Sequence, residues 1–327
     1  MDWPREVAEV FTRSLTCEYA SLTRAGTPVT WPVTPYIEPG KSIIDVSTGI
    51  TYPSKAERAR RDPRVALLFS DHVGSGLEKA PVVYVRGHAA VRDRDLQAGA
   101  DRYVRETLGK LASAYRGPWI VLKRHRWYWV RIWVEVTPLR ILWWPRGNLD
   151  APPERWEAPP SIDLPRSDRA PSGRPPPGYQ EAPIDWRLRA APAVARLKMV
   201  DVSVVDEDGW PFVWPARRVK AHPRGFKFTI APGCPVPLAG PGCITFHTHP
   251  ERFTGQENAV FVGTVSPLDD GTAVFEVERV LGDFSLPVGR VRSTLAFLGK
   301  ARKLRPRLRT EIDRRDQPMP VIRKSST

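Results

Sequence analysis

The chain has 327 residues, of which 41% are hydrophobic and 9% aromatic, an ordinary composition for a globular protein of two domains. The 35 prolines and a formal net charge of +14 are unusual, but positive charge attracts nucleic acids, anionic lipids and phosphorylated small molecules alike and selects none of them. Cys17, Cys234 and Cys243 lack the spacing of a disulfide framework, and no apolar run is long enough for a signal peptide or a membrane span, so a cytoplasmic protein is expected.

The first half is predicted to begin with an amphipathic helix at residues 5–15 and to continue as a series of strands. β-Branched and aromatic residues fill short runs bounded by Gly and Pro, which is typical of strands. Asp95 is placed to cap a helix that runs to about residue 110. The predicted strands are residues 19–23, 29–33, 42–47, 65–70, 81–91 and 127–138.

A second helix is predicted between two of these strands. Residues 54–57 read Ser-Lys-Ala-Glu, a capping-box pattern in which Ser54 accepts from a backbone N–H and Glu57 reaches back. The helix should stop before Asp62-Pro63, because proline disfavours a helical residue in front of it.

The strand predicted at residues 127–138 is apolar on both faces, so a helix, a ligand or the second half of the chain should cover it. We expect the two halves to contact each other through their barrel faces, with Trp133 or its neighbours on this strand face buried. Arg131 would lie between Trp129 and Trp133 on one face. A guanidinium stacked on indoles can bind an anion, but the same arrangement also occurs as packing, so both interpretations stay open.

Residues 151–183 contain ten prolines and few apolar residues, so they are predicted to be an extended linker. The predicted units are therefore residues 1–150, the linker at 151–183, and residues 184–327, which end in a basic tail. The second unit repeats the first. Trp31-Pro32-Val33 is echoed by Trp214-Pro215-Ala216, and each follows a strand and a glycine turn. The second copy is shorter where the first has the helix at residues 54–61.

The order of several short motifs resembles the pyridoxamine 5′-phosphate oxidase-like superfamily of flavin-binding split barrels. The resemblance covers about residues 15–144 and, more faintly, 201–283. It implies an α+β fold of two tandem, mostly antiparallel split β-barrels that form an intramolecular pseudo-dimer. The motifs that carry it are Trp31-Pro32-Val33, Thr48, Ser54-Lys55, Asp62-Pro63-Arg64-Val65 and Val85-Arg86-Gly87-His88-Ala89.

In that superfamily the cofactor lies in the cleft between two barrels. The resemblance implies that its phosphate is held by Thr48, Ser54 and Lys55, at a helix start where free N–H groups favour an anion. The flavin ring would pass along Trp31, Pro32, Val33 and Thr34, with Arg131 as a further contact. The alternatives are that Ser54 only caps a helix and that Lys55 is a solvated first-turn lysine.

The resemblance implies an oxidoreductase that transfers a hydride or electrons through FMN to an unidentified small molecule. The deazaflavin coenzyme F420 is the alternative cofactor, because its acidic tail would suit Arg58, Arg60 and Arg61, and haem is a further one. Those arginines would equally form an exposed helix face. A non-catalytic sensor on the same fold is the alternative function, followed by a basic protein associated with nucleic acid. No catalytic residue is identifiable.

The second copy carries Cys243, His247 and His249, with Cys234 nearby. No second close pair completes a tetrahedral zinc pattern, so the sequence predicts no metal site. His247 is instead expected to face the cleft between the barrels.

Overall fold

The structure is a computed structural model that describes residues 3–38, 40–111, 118–174, 185–282 and 290–324, with the backbone alone at residues 290–298. It contains two seven-stranded sheets, one in each half of the chain, and every strand pair is antiparallel. No helix of the described residues is long and apolar enough to cross a membrane.

The first sheet consists of β1 (Cys17–Leu22), β2 (Pro28–Val33), β3 (Ile44–Gly49), β4 (Arg64–Phe69), β5 (Val82–Arg92), β6 (Arg131–Trp144) and β7 (Glu154–Glu157). The helices of this half are α1 (Arg5–Arg13), α2 (Ser54–Arg61), α3 (Leu96–Lys110), α4 (Trp119–Leu122) and α5 (Arg126–Trp129). The strand order is β2-β1-β4-β5-β6-β3, and β7, from the predicted linker, adds to β6.

The second half begins with α6 (Trp186–Arg196). Its strands are β8 (Met199–Val205), β9 (Pro211–Pro215), β10 (Arg217–His222), β11 (Gly225–Thr229), β12 (Gly240–Thr248), β13 (Glu257–Pro267) and β14 (Thr272–Val280), and α7 (Arg290–Asp313) follows them. The strand order is β10-β11-β14-β13-β12-β8-β9.

The two sheets have the same strand order, which confirms the predicted α+β fold of two tandem split barrels. β2-β1-β4-β5-β6-β3 of the first sheet corresponds to β9-β8-β12-β13-β14-β11 of the second. The first sheet has α2 between its third and fourth strands, whereas residues 230–239 between β11 and β12 contain no helix. The second copy therefore keeps the strands and lacks the helix.

The two sheets contact each other reciprocally, through equivalent strands of the two copies. β2 lies against β12, and its counterpart β9 lies against β4, the counterpart of β12. Hydrogen bonds cross the interface from Thr30 Oγ1 to Ser203 Oγ at 2.8 Å, from Thr245 Oγ1 to the Thr30 carbonyl at 3.1 Å, and from the Tyr84 hydroxyl to the Pro211 carbonyl at 2.9 Å. The halves therefore form an internal pseudo-dimer.

The strand face that carries Trp133 is buried as expected, but residues of the first half cover it. Trp133 is buried, but Arg102 stacks on its ring at 4.0 Å and Tyr36 packs against it at 5.3 Å, both from the same half. Aromatic contacts across the interface join Trp144 with Trp214 and Tyr84 with Phe212, and the ring centroids of each pair lie 4.9 Å apart. Helix α3 thus covers this face of β6.

The strand predicted at residues 127–138 is also wrong in its bounds. Residues 126–129 form the short helix α5, in which the Trp129 indole donates to the Leu122 carbonyl at 2.8 Å, and β6 begins at Arg131. The strand then continues past Pro138, which lies opposite Gly87 where the β5–β6 register shifts. Proline has no N–H for a ladder bond, and it is tolerated in a strand at such an irregularity.

Helix α7 packs against the first half, although the sequence placed it in the second unit as a basic tail. Its apolar face joins the first hydrophobic core, and the acidic residue Glu311 is fully buried, where it accepts from Arg314 and Arg315 at 2.9 and 2.6 Å. Arg315 also pairs with Asp93 at 3.0 Å. Helix α7 and the residues after it contribute five residues to this core, namely Ala301, Leu304, Leu308, Ile312 and Ile322.

Candidate functional site

The start of α2 differs from the predicted capping box. Pro53 occupies the N-cap position, Ser54 is the first helical residue, and no side chain caps the helix. Glu57 does not reach back, since it lies 3.6 Å from Arg60. Proline suits a helix start because the backbone donor it lacks would have no helical partner there. The Ser54 side chain is exposed and forms no hydrogen bond to the described residues, so its hydroxyl is free to meet a ligand.

Lys55 is the most unusual residue of this helix. Its side chain is half-buried, and the ammonium lies 5.4 Å from the centre of the Trp31 ring. Burial, followed by the positive charges of Arg58 and Arg131, lowers the pKa of Lys55 to about 7. No carboxylate in the described part of the chain lies within ion-pair distance of Lys55. An anion beside it would supply the missing counter-charge.

Arg58, three residues further along α2, adds a second cation. Its Nε donates to Ser21 Oγ at 2.9 Å, while its Nη2 is buried without a hydrogen-bond partner among the residues described. Burial lowers the pKa of Arg58. Arg60 and Arg61 are occupied, because Arg60 pairs with Asp93 at 2.9 Å and Arg61 donates to a backbone carbonyl at 2.8 Å. Arg58 and Arg60 are therefore not solvated, and only Arg61 of the three is exposed.

Arg131 stacks on tyrosines instead of the predicted tryptophans. Its guanidinium lies 4.4 Å from the ring centre of Tyr103 and 4.6 Å from that of Tyr128. Nη2 also donates to the Tyr103 hydroxyl at 2.9 Å. The prediction that Arg131 lies between Trp129 and Trp133 is wrong, because Trp129 belongs to helix α5 and not to the strand.

The end of β3 brings Arg131 towards α2. Gly49 of β3 pairs with Arg131, and the Arg131 guanidinium lies beside it, since a Cβ at position 49 would be in ordinary van der Waals contact with Nη1 at 3.5 Å. The neighbouring Thr48 is buried, and its hydroxyl donates to the Tyr52 carbonyl at 2.9 Å. Thr48 thus closes the turn between β3 and α2, while Lys55 and Arg131 share one positive region.

The predicted ring-binding segment lies at the end of β2, between the two sheets. Trp31 and Thr34 are half-buried, whereas Pro32 and Val33 are buried. Trp31 contacts both Lys55 and side chains of the second sheet. The apolar side chains of this contact are Val29, Cys243, Val260 and Val262.

A second cluster, of which the sequence analysis anticipated only His247, lies where the sheets meet. We call Glu18, Ser70, Asp201 and His247 the interface cluster. His247 Nε2 lies 2.8 Å from Glu18 Oε1 and 3.5 Å from Asp201 Oδ2, and all three side chains are fully buried. Ser70 Oγ lies 3.3 Å from the second oxygen of Glu18 and 3.3 Å from that of Asp201. The cluster thus draws on both halves of the chain.

The interface cluster consists of two equivalent pairs. Glu18 pairs in β-sheet register with Pro32, and Asp201 pairs with Pro215, the proline of the echoed motif. Ser70 and His247 each follow the phenylalanine that ends a matched run in β4 or β12. The repeat alone would have revealed that these positions correspond, but only the packing of the sheets shows that they meet.

Burial and mutual charge shift the pKa values of this cluster. Burial, then the negative charge of Asp201, raises the pKa of Glu18 to about 7, although His247 opposes the shift. Burial disfavours a charged imidazole at His247, but the carboxylates of Asp201 and Glu18 outweigh it and raise its pKa to about 10. Asp71 lies beside the cluster and pairs with His249 at 3.1 Å.

The cysteines considered with these histidines bond elsewhere. The Cys243 sulfur lies 3.6 Å from Thr245 Oγ1, and the Cys234 thiol donates to the Val236 carbonyl at 3.2 Å. Burial raises the pKa of both thiols. Neither cysteine belongs to the one group of potential metal ligands that the described residues contain, which is Glu18, Asp201 and His247.

A basic groove of about 780 Å³ runs between the α4–α5 segment and α7. Its cations are exposed, and Trp127 forms part of its wall. Because α7 packs on the first half, the basic residues of this C-terminal helix lie next to those of the α4–α5 segment. The cations are Lys123, Arg124, Arg126, Arg305 and Arg309.

No family model matches the chain, and no curated protein matches it. Similar solved structures include a putative pyridoxamine 5′-phosphate oxidase from Listeria innocua, 12% identical, which covers 42% of this chain and 93% of that one with a TM-score of 0.29. A conserved hypothetical protein from Mycobacterium tuberculosis is 21% identical over 46% of this chain and 91% of its own, with a TM-score of 0.34. An F420 reductase is 15% identical over 43% and 98%, with a TM-score of 0.32. The name of the superfamily that the sequence resembles thus recurs in the first of these neighbours.

Proposed function

We propose that the chain binds a flavin-type cofactor beside α2 and acts as an oxidoreductase on a small molecule. The observation that supports this most is the half-buried ammonium of Lys55, which lies over Trp31 with no carboxylate in reach among the described residues. A phosphate would supply the counter-charge, and the indole would supply a flat apolar wall. When bound, a flavin would accept and donate the hydride or the electrons.

The side chains around α2 fit a group that carries one phosphate. Lys55 and the exposed hydroxyl of Ser54 are available as donors, and Arg58 adds a nearby positive charge whose Nη2 is buried, whereas the hydroxyl of Thr48 is already engaged with the chain. Charge-assisted hydrogen bonds of this kind are the stronger class. We assign the phosphate to Lys55, Arg58 and Ser54, and the ring to Trp31.

The same contacts favour FMN over the deazaflavin coenzyme F420. A long acidic tail would need free cations further along the helix. Arg60 is held by Asp93, and Arg61 is held by a backbone carbonyl. Absorption spectra of the purified protein would distinguish FMN, deazaflavin and haem directly.

The first prediction tests Lys55 with a matched control. Lys55→Met keeps the buried stem and removes the charge, so FMN affinity should fall about 10- to 100-fold, the equivalent of about 1.5–3 kcal/mol. Stability without ligand should stay the same or rise, because an uncompensated buried charge is removed. Fluorescence titration with FMN and chemical denaturation measure the two quantities.

Lys110→Met is the control for this experiment. Lys110 is another half-buried lysine of the first half, it lies 5.8 Å from the centre of the Tyr36 ring, and burial lowers its pKa to about 8. Its ammonium already donates to the Pro35 carbonyl at 2.6 Å. FMN affinity should change less than about twofold in this variant. Equal losses in both variants would contradict the assignment of the phosphate to Lys55.

Reduction of the bound cofactor decides between an enzyme and a sensor. An oxidoreductase should show bleaching of the flavin absorption when a reduced nicotinamide or another donor is added, whereas a sensor on this fold binds the cofactor without turnover. The basic groove favours a third candidate, association with nucleic acid. A steep dependence of DNA or RNA affinity on salt, with no flavin bound, would favour that function.

A further inference from the structure

Three ligand-type atoms converge in the interface cluster. Glu18 Oε1, Asp201 Oδ2 and His247 Nε2 lie within 4.8 Å of one another, and they come from three strands and both halves of the chain. All three side chains are shielded from solvent. A carboxylate from each half thus faces a single imidazole nitrogen in the plane where the sheets pack.

These atoms lie within ion-pair distance of one another but form no hydrogen bonds among themselves. Although His247 Nε2 lies 2.8 Å from Glu18 Oε1, the angles do not form a hydrogen bond, and none of the three atoms has a hydrogen-bond partner in the described part of the protein. Buried polar atoms are nearly always paired, because removing them from water without a partner is unfavourable. Three such atoms around one point therefore indicate a missing common partner.

The outer atoms of the cluster are placed to orient these ligands. Ser70 Oγ lies 3.3 Å from the second oxygen of Glu18 and from that of Asp201, and its single proton can serve only one of them at a time. Asp71 Oδ2 lies 3.9 Å from the other ring nitrogen of His247, near that nitrogen but beyond hydrogen-bond distance. A carboxylate behind a histidine ligand is a common outer partner in metal sites.

The chemistry of the three atoms selects the class of partner. Two carboxylates carry two negative charges, which a divalent cation balances once the imidazole has released its proton to the solvent. Imidazole nitrogen together with carboxylate oxygen suits Zn²⁺, Mn²⁺ or Fe²⁺, whereas Ca²⁺ and Mg²⁺ prefer oxygen ligands alone. A first-row transition metal therefore fits this donor set.

We propose that Glu18, Asp201 and His247 bind one divalent first-row transition-metal ion that joins the two sheets. The ion bridges the halves at the centre of their interface and stabilises the pseudo-dimer. This site is separate from the flavin site proposed at α2 and does not depend on it.

The test uses the tag-free, full-length protein after dialysis against EDTA, with no flavin added. Calorimetric titration with ZnCl₂ or MnCl₂ should show one ion bound per chain, and the melting temperature should rise with the ion concentration. Glu18→Gln and His247→Gln should each weaken the affinity at least about 100-fold, because loss of an outer partner alone weakens metal sites about 10- to 100-fold.

Asp45→Asn is the matched control. Asp45 is a buried carboxylate of β3, it pairs with Arg102, and it lies outside the cluster, so metal affinity should be unchanged. No binding by the wild-type protein would overturn the proposal, and so would binding that persists in both cluster variants, which would be an adventitious ion only. If both cluster variants fail to fold, anomalous scattering from zinc-loaded wild-type crystals decides. A peak between Glu18 and His247 supports the site, and a peak elsewhere or none rejects it.

Discussion

The two sheets share one strand order and differ in the connection between one equivalent pair of strands, β3 and β4 in the first sheet and β11 and β12 in the second. In the first sheet α2 lies between β3 and β4 and carries Lys55 and Arg58, whereas residues 230–239 of the second sheet form a connection without a helix. The strand pairing, which holds the fold, is the same in both copies. The uncompensated charge that we assign to a ligand belongs to the inserted helix alone.

The echoed tryptophans show the same divergence in a single pair of residues. Trp31 is half-buried beneath Lys55. Trp214 is fully buried, and it packs against Trp144 and Phe212. One copy of the motif leaves its indole beside a cation, and the other uses the indole as core.

The largest effect that we expect on stability separates these two tryptophans. Trp214→Ala should destabilise the protein by about 3–5 kcal/mol, the usual range for removing a large buried aromatic side chain. Trp31→Ala should destabilise it by only about 1–2 kcal/mol, because its ring is half-exposed, but it should also weaken FMN binding. Urea denaturation and FMN titration of both variants measure the difference. Equal destabilisation, with FMN affinity unchanged in Trp31→Ala, would show that both indoles serve only as core.

The pH dependence of FMN binding tests the charge on α2. The pKa of Lys55 is about 7 in the free protein, and a bound phosphate should raise it. Below pH 7 the ammonium is already present, so affinity is highest there. Above pH 7 binding requires uptake of a proton, so affinity should fall by up to about tenfold per pH unit until the pKa of the complex is reached.

Lys55→Met supplies the control for this pH series. Titrations between pH 7 and 9 keep the phosphate dianionic, since its second pKa is about 6, so the remaining slope reports on the protein. The slope should disappear in Lys55→Met. An equal slope in both proteins would assign the proton to another group.

The smallest expected effect concerns the start of α2. Ser54→Ala should change stability by less than about 0.5 kcal/mol, because its side chain makes no cap. Asp95→Ala should destabilise the protein by about 1 kcal/mol, because Asp95 accepts from the Ala98 N–H at 2.8 Å and caps α3. Thermal denaturation of the two variants compares them, and a larger loss for Ser54→Ala would restore the capping interpretation.

The duplication and most strands could be predicted from the sequence because they depend on local signals. The echo of Trp31-Pro32 in Trp214-Pro215 marks equivalent strands, and the glycine turns before them mark equivalent hairpins. The helix at residues 54–61 also follows from its local composition. Its N-cap was predicted wrongly because Pro53 occupies the position that the pattern gives to Ser54.

The remaining features depend on contacts between distant parts of the chain. The interface cluster requires the register of both sheets and their packing, neither of which periodicity contains. Helix α5 forms where alternating tryptophans favour a strand, because the fold buries Trp129 against α4. The position of α7 is equally non-local, since its apolar face is matched to a core that lies far away in sequence.

The docking of α7 on the first half also affects how the chain folds during its synthesis. Domains generally fold in the order in which they leave the ribosome, at about 5–20 residues per second. Here Leu304, Leu308 and Ile312 complete the first core, yet they emerge only after the whole second sheet. At that speed the first core remains uncovered on one side for on the order of ten seconds. The nascent first half must therefore stay partly open, exposed to chaperones and to self-association, until the segment that closes it has been translated.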